Sequence, residues 1–290
     1  MGLSGRTPGD REDPTAWLRL AERTVELAQA AGADQSEARV DAGESALTRF
    51  ANSEIHQNVI ETDASVSLRF VVGGRIAVVS SGRTDEEGLR RLVERAAGLA
   101  RVVEPLASFR SLPEPGPGPI VPAPGAYVAA TAEATPAGRA AAARAVIAAA
   151  DAAGVTAYGS YETGVEWRAV ANSLGIRAAE ARTQARLVTV AMGPDDGTGY
   201  AEATAVDLAR IDPAALGREA AASARASARP VEVAPGDYPV VLSEYAVVDL
   251  LDYLGYLGFS ALAVQQGRSF FEPGKVVGSE LVTIVDDAGG

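Results

Sequence analysis

The chain has 290 residues, 47% of them apolar and 22% charged, with a formal net charge of −12, no cysteine and a single histidine, His56. That length and apolar share are enough for a globular protein with a full hydrophobic core, and the charge argues against direct contact with nucleic acid. Without cysteine there are no disulfides, thiolate metal sites or cysteine nucleophiles, and one histidine closes off any metal helix built on two.

No stretch reaches about 18 uninterrupted apolar residues, the length that crosses a bilayer. With the lack of cysteine, this leads to the expectation of a soluble cytoplasmic protein without membrane contact. Residues 1–12, MGLSGRTPGDRE, lack the apolar core of a secretory signal and read as a disordered tail. Asp13-Pro14 reads as an N-cap followed by proline at the first helical position, with Trp17, Leu20, Ala21, Val25 and Leu27 at helical spacing as far as about Ala31. Strand character comes next over 37–40, 46–51, 55–61 and 65–72. The last of these is joined through Gly73-Gly74 to 75–81, a favoured hairpin connection. Thr84 or Asp85 caps the next helix, whose Leu89, Leu92, Val93, Ala96, Ala97 and Ala100 lie along one side.

Residues 104–125 contain seven prolines, so 104–134 reads as a linker or a long surface crossing. The segments on its two sides repeat one another. Thr135-Pro136 caps an alanine-rich helix ending at Gly154, and Phe50-Ala51-Asn52-Ser53 recurs as Val170-Ala171-Asn172-Ser173. Strand-like segments at 177–181 and 183–192, a turn over Gly193–Gly199, a strand to about Val206 and a helix over 212–228 complete the second half. The expected fold is therefore α+β, with two related helix/antiparallel-sheet/helix units over 13–103 and 135–230 that arose by duplication. Beyond them come a short strand at 236–243, an apolar helix from Glu244 to about Gly258, and a strand at 281–285 ending in Asp286-Asp287. A strand that late implies sheet partners further on, so 231–290 is expected to be the incomplete start of a β-rich C-terminal domain.

Residues 238–287, YPVVLSEYAVVDLLDYLGYLGFSALAVQQGRSFFEPGKVVGSELVTIVDD, resemble the core signature of the TldD/PmbA peptidase family, also called modulators of DNA gyrase. The likeness lies in a strand with a VLS-type turn, an apolar helix, a QxGRSFF loop, a GKxxxS segment and a TIVDD strand. With the R-x-A-N-S element at Arg49, Ala51, Asn52 and Ser53 it extends over about residues 14–287. In the TldD branch the helix carries HExxxH, whose two histidines share a zinc ion while the glutamate serves as general base. Here Asp252 stands at the first histidine, Tyr253 at the glutamate and Leu257 at the second histidine. A single carboxylate cannot hold zinc, and tyrosine, with a pKa near about 10, is a poor base at neutral pH.

The resemblance therefore implies the PmbA branch, also called TldE. No catalytic residue and no metal or other cofactor is expected in this chain, with zinc only in a TldD-like partner subunit and unstructured peptides as substrate. A homodimer is a further possible assembly. Two alternatives stand beside this: the protein is itself a metallopeptidase with its ligands in a C-terminal part beyond residue 290, or a regulatory adaptor of the gyrase-modulator type. Tyr253 and Tyr256, with Leu254, Leu257 and Phe259, would line a substrate channel or partner surface, or simply pack in a core. Gly267, Arg268 and Ser269 would bind a peptide carboxylate or carbonyl, or hold their own loop. Asp286 and Asp287 would orient a substrate or cap a strand end. His56 is a candidate base or a solvated side chain. The Asp195-Asp196 pair suits calcium or a tight turn, with the turn preferred, and small-residue packing on a sheet is preferred to a coiled coil for the alanine-rich helix.

Overall fold

The structure, a computed structural model, describes residues 12–118 and 123–286; the expected tail, apart from Glu12, lies outside them. The chain divides into two units, residues 1–230 and 231–290.

The first unit is built on one antiparallel sheet. Helix α1 (Thr15–Ala30) leads into β1 (Gln35–Ala51), β2 (Glu54–Val72) and β3 (Arg75–Ser81), and then α2 (Glu86–Ala100). A short α3 (Ala129–Ala132) precedes the second set: α4 (Pro136–Ala152), β4 (Thr156–Asn172), β5 (Arg177–Met192), β6 (Thr198–Ala205) and α5 (Pro213–Ala226). The strand order is β3-β2-β1-β4-β5-β6, so the two halves meet along β1 and β4 and share a single sheet. β1 and β4 are both 17 residues long, and their ends stand 121 positions apart in the chain (35 to 156, 51 to 172).

The strands differ from the sequence reading in two ways. The short segments expected over 37–61 are continuous strands, because Asn52 (φ 52°) and Ser53 (φ 59°) turn the chain in two left-handed residues, as a tight hairpin requires. β4 is a full strand where the sequence pattern singled out only the turn at its end. Its buried face is made of Ala157, Tyr161, Thr163, Val165, Trp167, Ala169 and Ala171, a period-2 pattern in which three of the seven positions are alanine, which carries no strand preference.

Cap chemistry explains the starts of α2, α4 and α5. The carboxylate of Asp85 accepts from the amide of Gly88 at 2.6 Å, the hydroxyl of Thr135 from that of Gly138 at 3.1 Å, and the carboxylate of Asp212 from that of Ala215 at 3.0 Å. Asp13 departs from this pattern. The cap position is Pro14, without a side-chain bond, and Asp13 accepts from the amide of Thr15 at 2.9 Å. Helices cover one face of the sheet in two clusters. The first joins α1 and α2 to β1, β2, β3 and the Val165–Ala171 end of β4, and the second joins α4 and α5 to β4–β6 and Phe50. α5 lies so close to β6 that a Cβ on Gly199 would sit 2.0 Å from the carbonyl oxygen of Ala220. Gly199→Ala is expected to destabilise the fold by about 1–3 kcal/mol, read as a lower urea midpoint with unchanged slope.

The proline-rich stretch has no regular secondary structure in its described residues, yet it is tied down. The amide of Leu112 donates to the side-chain oxygen of Gln35 at 2.8 Å, and the side-chain amide of Asn172 donates to the carbonyl of Pro113 at 2.8 Å.

The second unit contains α6 (Glu244–Leu254), a π turn over Gly255–Phe259 and α7 (Ala261–Gln265). The strands expected at 236–243 and 281–285 are absent from the described residues. A strand persists only as part of a ladder, and this unit holds no other strand among the described residues.

Candidate functional site

The positions that the family resemblance sets against HExxxH, Asp252, Tyr253 and Leu257, lie at the end of α6 and in the turn after it. Asp252 and Tyr253 occupy the last turn of α6, and Leu257 lies in the π turn, which closes i→i+5 in place of i→i+4 bonds. Asp252 is exposed, as are Tyr253 (66%), Tyr256 (71%) and Leu257 (50%). The side chains of Asp252, Tyr253 and Tyr256 form no hydrogen bond among the described residues. As a zinc site this set falls short, since it offers one carboxylate where zinc needs at least three protein ligands. Among the described residues no group of three or more His, Cys, Asp or Glu side chains is placed to hold a metal ion.

The loop after α7 folds back on the π turn. Gly267 takes a left-handed φ of 66°, and the amides of Arg268 and Ser269 both donate to the carbonyl of Ala263, at 2.9 and 3.2 Å. The Ser269 hydroxyl donates to the carbonyl of Gly258 and accepts from the amide of Phe271 at 2.9 Å. Phe259 meets Phe270 at 6.0 Å and Phe271 at 5.5 Å, both edge to face. Gly258 makes room for this packing, because a Cβ there would stand 2.6 Å from the Phe270 ring. Arg268 bonds within its own loop, to the side-chain oxygen of Gln266. Ser269 and Arg268 thus hold the loop's shape, and the loop is brought against the turn that carries Leu257. Asp286 is exposed and outside any regular element, and Asp287 lies outside the described residues.

The other candidates separate from this region. His56 is exposed on β2, while the neighbouring Asn52 and Ser53 bind β4: Tyr158 Oη donates to Asn52 Oδ1 at 2.7 Å, and the amide of Ala157 to Ser53 Oγ at 3.1 Å. Asp195 (φ 54°) and Asp196 (φ 60°) form the turn between β5 and β6.

The sheet face opposite the helices carries a feature the sequence reading did not single out, a hollow of about 930 Å³ over the middle of β1, β2, β4 and β5. Gly43 and Gly164 leave its centre without side chains, and Asp41, Glu61, Asp63, Glu162 and Glu166 stand around it. Its two arginines are already engaged. Arg186 pairs with Glu202 through two bonds of 2.8 and 2.9 Å, holding that carboxyl below the usual carboxylate range. Arg168 lies 3.2 Å from Glu166 and 3.8 Å from Asp41. A signal was present in the alternation Glu61, Asp63, Ser65, Ser67 and in the two glycines, but only the register of β1 against β4 brings them together.

Three family profiles match the chain: PmbA/TldA metallopeptidase domain 1 over residues 36–100, the central domain over 129–228 and the C-terminal domain over 235–289. A comparison with functionally curated proteins gives no match. Among solved structures, a candidate modulator of a DNA gyrase from Thermotoga maritima aligns with a TM-score of 0.73 and 18% identity, covering 86% of this chain and 57% of that one. A similar protein from Bacteroides thetaiotaomicron gives 0.73 and 19%, covering 87% and 59%. TldE from Thermococcus kodakarensis gives 0.64 and 18%, covering 71% and 47%. At these identities the likeness establishes the fold, and the chain spans less than two thirds of each of these proteins.

Proposed function

Because the chain belongs to the PmbA/TldD metallopeptidase family, we propose that it serves as the non-catalytic, TldE-like component of a cytoplasmic zinc peptidase acting on unstructured peptides, with the zinc carried by an HExxxH-bearing homologue. The observation that carries this reading is the donor set at the motif positions. Asp252, Tyr253 and Leu257 offer neither the ligands nor the general base that the family chemistry uses, while the loop beside them remains folded against the turn. The fold shared with TldE from Thermococcus kodakarensis agrees with it.

On α6, Val248 (62%), Leu250 (57%), Leu251 (43%) and Tyr253 (66%) are all exposed, apolar area that is normally covered by protein, be it a partner or the rest of the same domain. Glu244–Gln265 is also long and apolar enough to cross a membrane by length and composition. Its acidic residues Glu244, Asp249 and Asp252 favour a protein-facing role, since a carboxylate inside a bilayer is costly. Purification of the tagged full-length protein from its own cells tests the assignment. The expected result is co-recovery of an HExxxH homologue together with zinc. Stoichiometric zinc on this protein without a partner, or recovery of a gyrase subunit in place of the homologue, would overturn it.

A further inference from the structure

β5 and β2 are counterparts in the two halves of the sheet, and each has an outer neighbour along only part of its length. β6 pairs with β5 from Ala185 onward. Just before that point the edge is met at Thr183 by a piece of the chain without regular secondary structure: the amide of Thr183 donates to the carbonyl of Ala126 at 2.9 Å, and the amide of Val128 to Thr183 Oγ1 at 3.0 Å. β3 likewise pairs with β2 only from Val66 onward. The edge from Glu54 to Ser65 has no such cover, and no hydrogen bond from outside the sheet reaches its backbone among the described residues. Thr62 stands 121 positions before Thr183, the same offset that relates β1 to β4, and both threonines lie on the helix side of their strands. Residues 60–63 are exposed, Ile60 to 55%.

We propose that the open edge of β2 over Glu54–Ser65 is a docking site for an extended, basic peptide segment, which adds to the sheet as a strand and places alternate side chains over the acidic hollow. The contact at Thr183 shows the mode of attachment within this same fold: a backbone bond to the strand, with a further bond to the threonine hydroxyl. Unpaired strand edges accept extended peptides in this way, with the ladder giving affinity and the alternate side chains giving selectivity. The hollow begins at the edge, since Glu61, Asp63 and Ser65 line both. Glu61 and Asp63 form no ion pair among the described residues, whereas Arg168 is paired with Glu166 and Asp41 within the hollow and Arg186 with Glu202. The free charge there is therefore negative and suits lysine or arginine side chains. This inference concerns the first unit and does not rest on the subunit assignment above.

Binding by the full-length protein is measured by fluorescence anisotropy, with no cleavage required. The probe is a labelled peptide of about ten residues alternating lysine and valine, long enough to span the edge, with a glutamate-valine counterpart and a version N-methylated at alternate residues. The lysine peptide is expected to bind, more weakly as salt rises. N-methylation and Thr62→Pro, which each remove ladder donors, are expected to weaken it about ten-fold or more, and the double change Glu61→Lys, Asp63→Lys to favour the glutamate peptide by about ten-fold. The N-methylated probe needs no altered protein, so the test stands even if Thr62→Pro fails to fold. Equal binding of the methylated and unmethylated peptides, or of the basic and acidic ones, would overturn the proposal. A concentration-dependent dimer that Thr62→Pro dissolves and the lysine peptide does not compete with would assign the edge to a second copy and overturn it equally.

Discussion

Trp167→Ala is expected to lower the unfolding free energy by about 3–5 kcal/mol, the range for removing a large buried aromatic. Trp167 is 1% exposed. It sits on β4, in the second half of the sheet, yet its ring lies 6.2 Å from that of Trp17 on α1 and it belongs to the cluster under α1 and α2. The contact therefore joins the two halves as well as filling space. If they unfold as one body, urea titration of the variant followed by circular dichroism should show a single transition at a lower midpoint. These are the only two tryptophans in the chain, so their fluorescence reports on this contact directly. A two-step transition, with one half unaffected, would show that the halves are stabilised separately.

Arg139 calls for a pair of variants. Its side chain extends from α4 to lie against the sheet, 1% exposed. Nη1 donates to the carbonyl of Ala134 at 2.9 Å and to Thr163 Oγ1 at 3.2 Å, and Nη2 to Asn58 Oδ1 at 3.4 Å, while Nε has no partner. Burial lowers its pKa, with Glu44 acting in the opposite sense. Arg139→Ala leaves both a cavity and a carbonyl short of its donor, an expected loss of about 3 kcal/mol. Arg139→Met leaves the same carbonyl short of its donor but fills most of the space and removes a desolvated charge, so it is expected to lose clearly less, about 1 kcal/mol. Equal losses in the two variants would show that the hydrogen bonds of the guanidinium, and not its volume, hold α4 in place.

Much of this architecture can be read from local chemistry. Asp85, Thr135 and Asp212 cap their helices as their side chains suggest, and the repeated helix, strand and turn order foretells two related halves. The failures have physical causes. Asp13-Pro14 has the letters of a cap without the bond, and β4 has alanine at three of the seven positions of its buried face. The repeated tetrapeptide is also deceptive. Phe50 faces the helices and is 1% exposed, whereas Val170 falls on the opposite face, because the motif recurs at 120 positions and the strands at 121. One residue of slip exchanges the faces of a strand. At the site, which donors stand at Asp252, Tyr253 and Leu257 is read from the sequence directly, and that they take the place of a metal motif rests on the family resemblance. The hollow and the open edge are not, because they depend on how far β3 runs along β2 and on the β1–β4 register, which sets Gly43 opposite Glu166 and Gly164 opposite Ser45.

The subunit assignment turns on which chain supplies the chemistry. Its most direct test is peptidase activity on an unstructured peptide, measured with this full-length protein alone, with its HExxxH-bearing homologue alone, and with the two mixed. Cleavage by the mixture is expected, lost when the homologue's motif histidines are replaced and retained when Tyr253 here becomes phenylalanine. Cleavage by this protein alone would contradict the account.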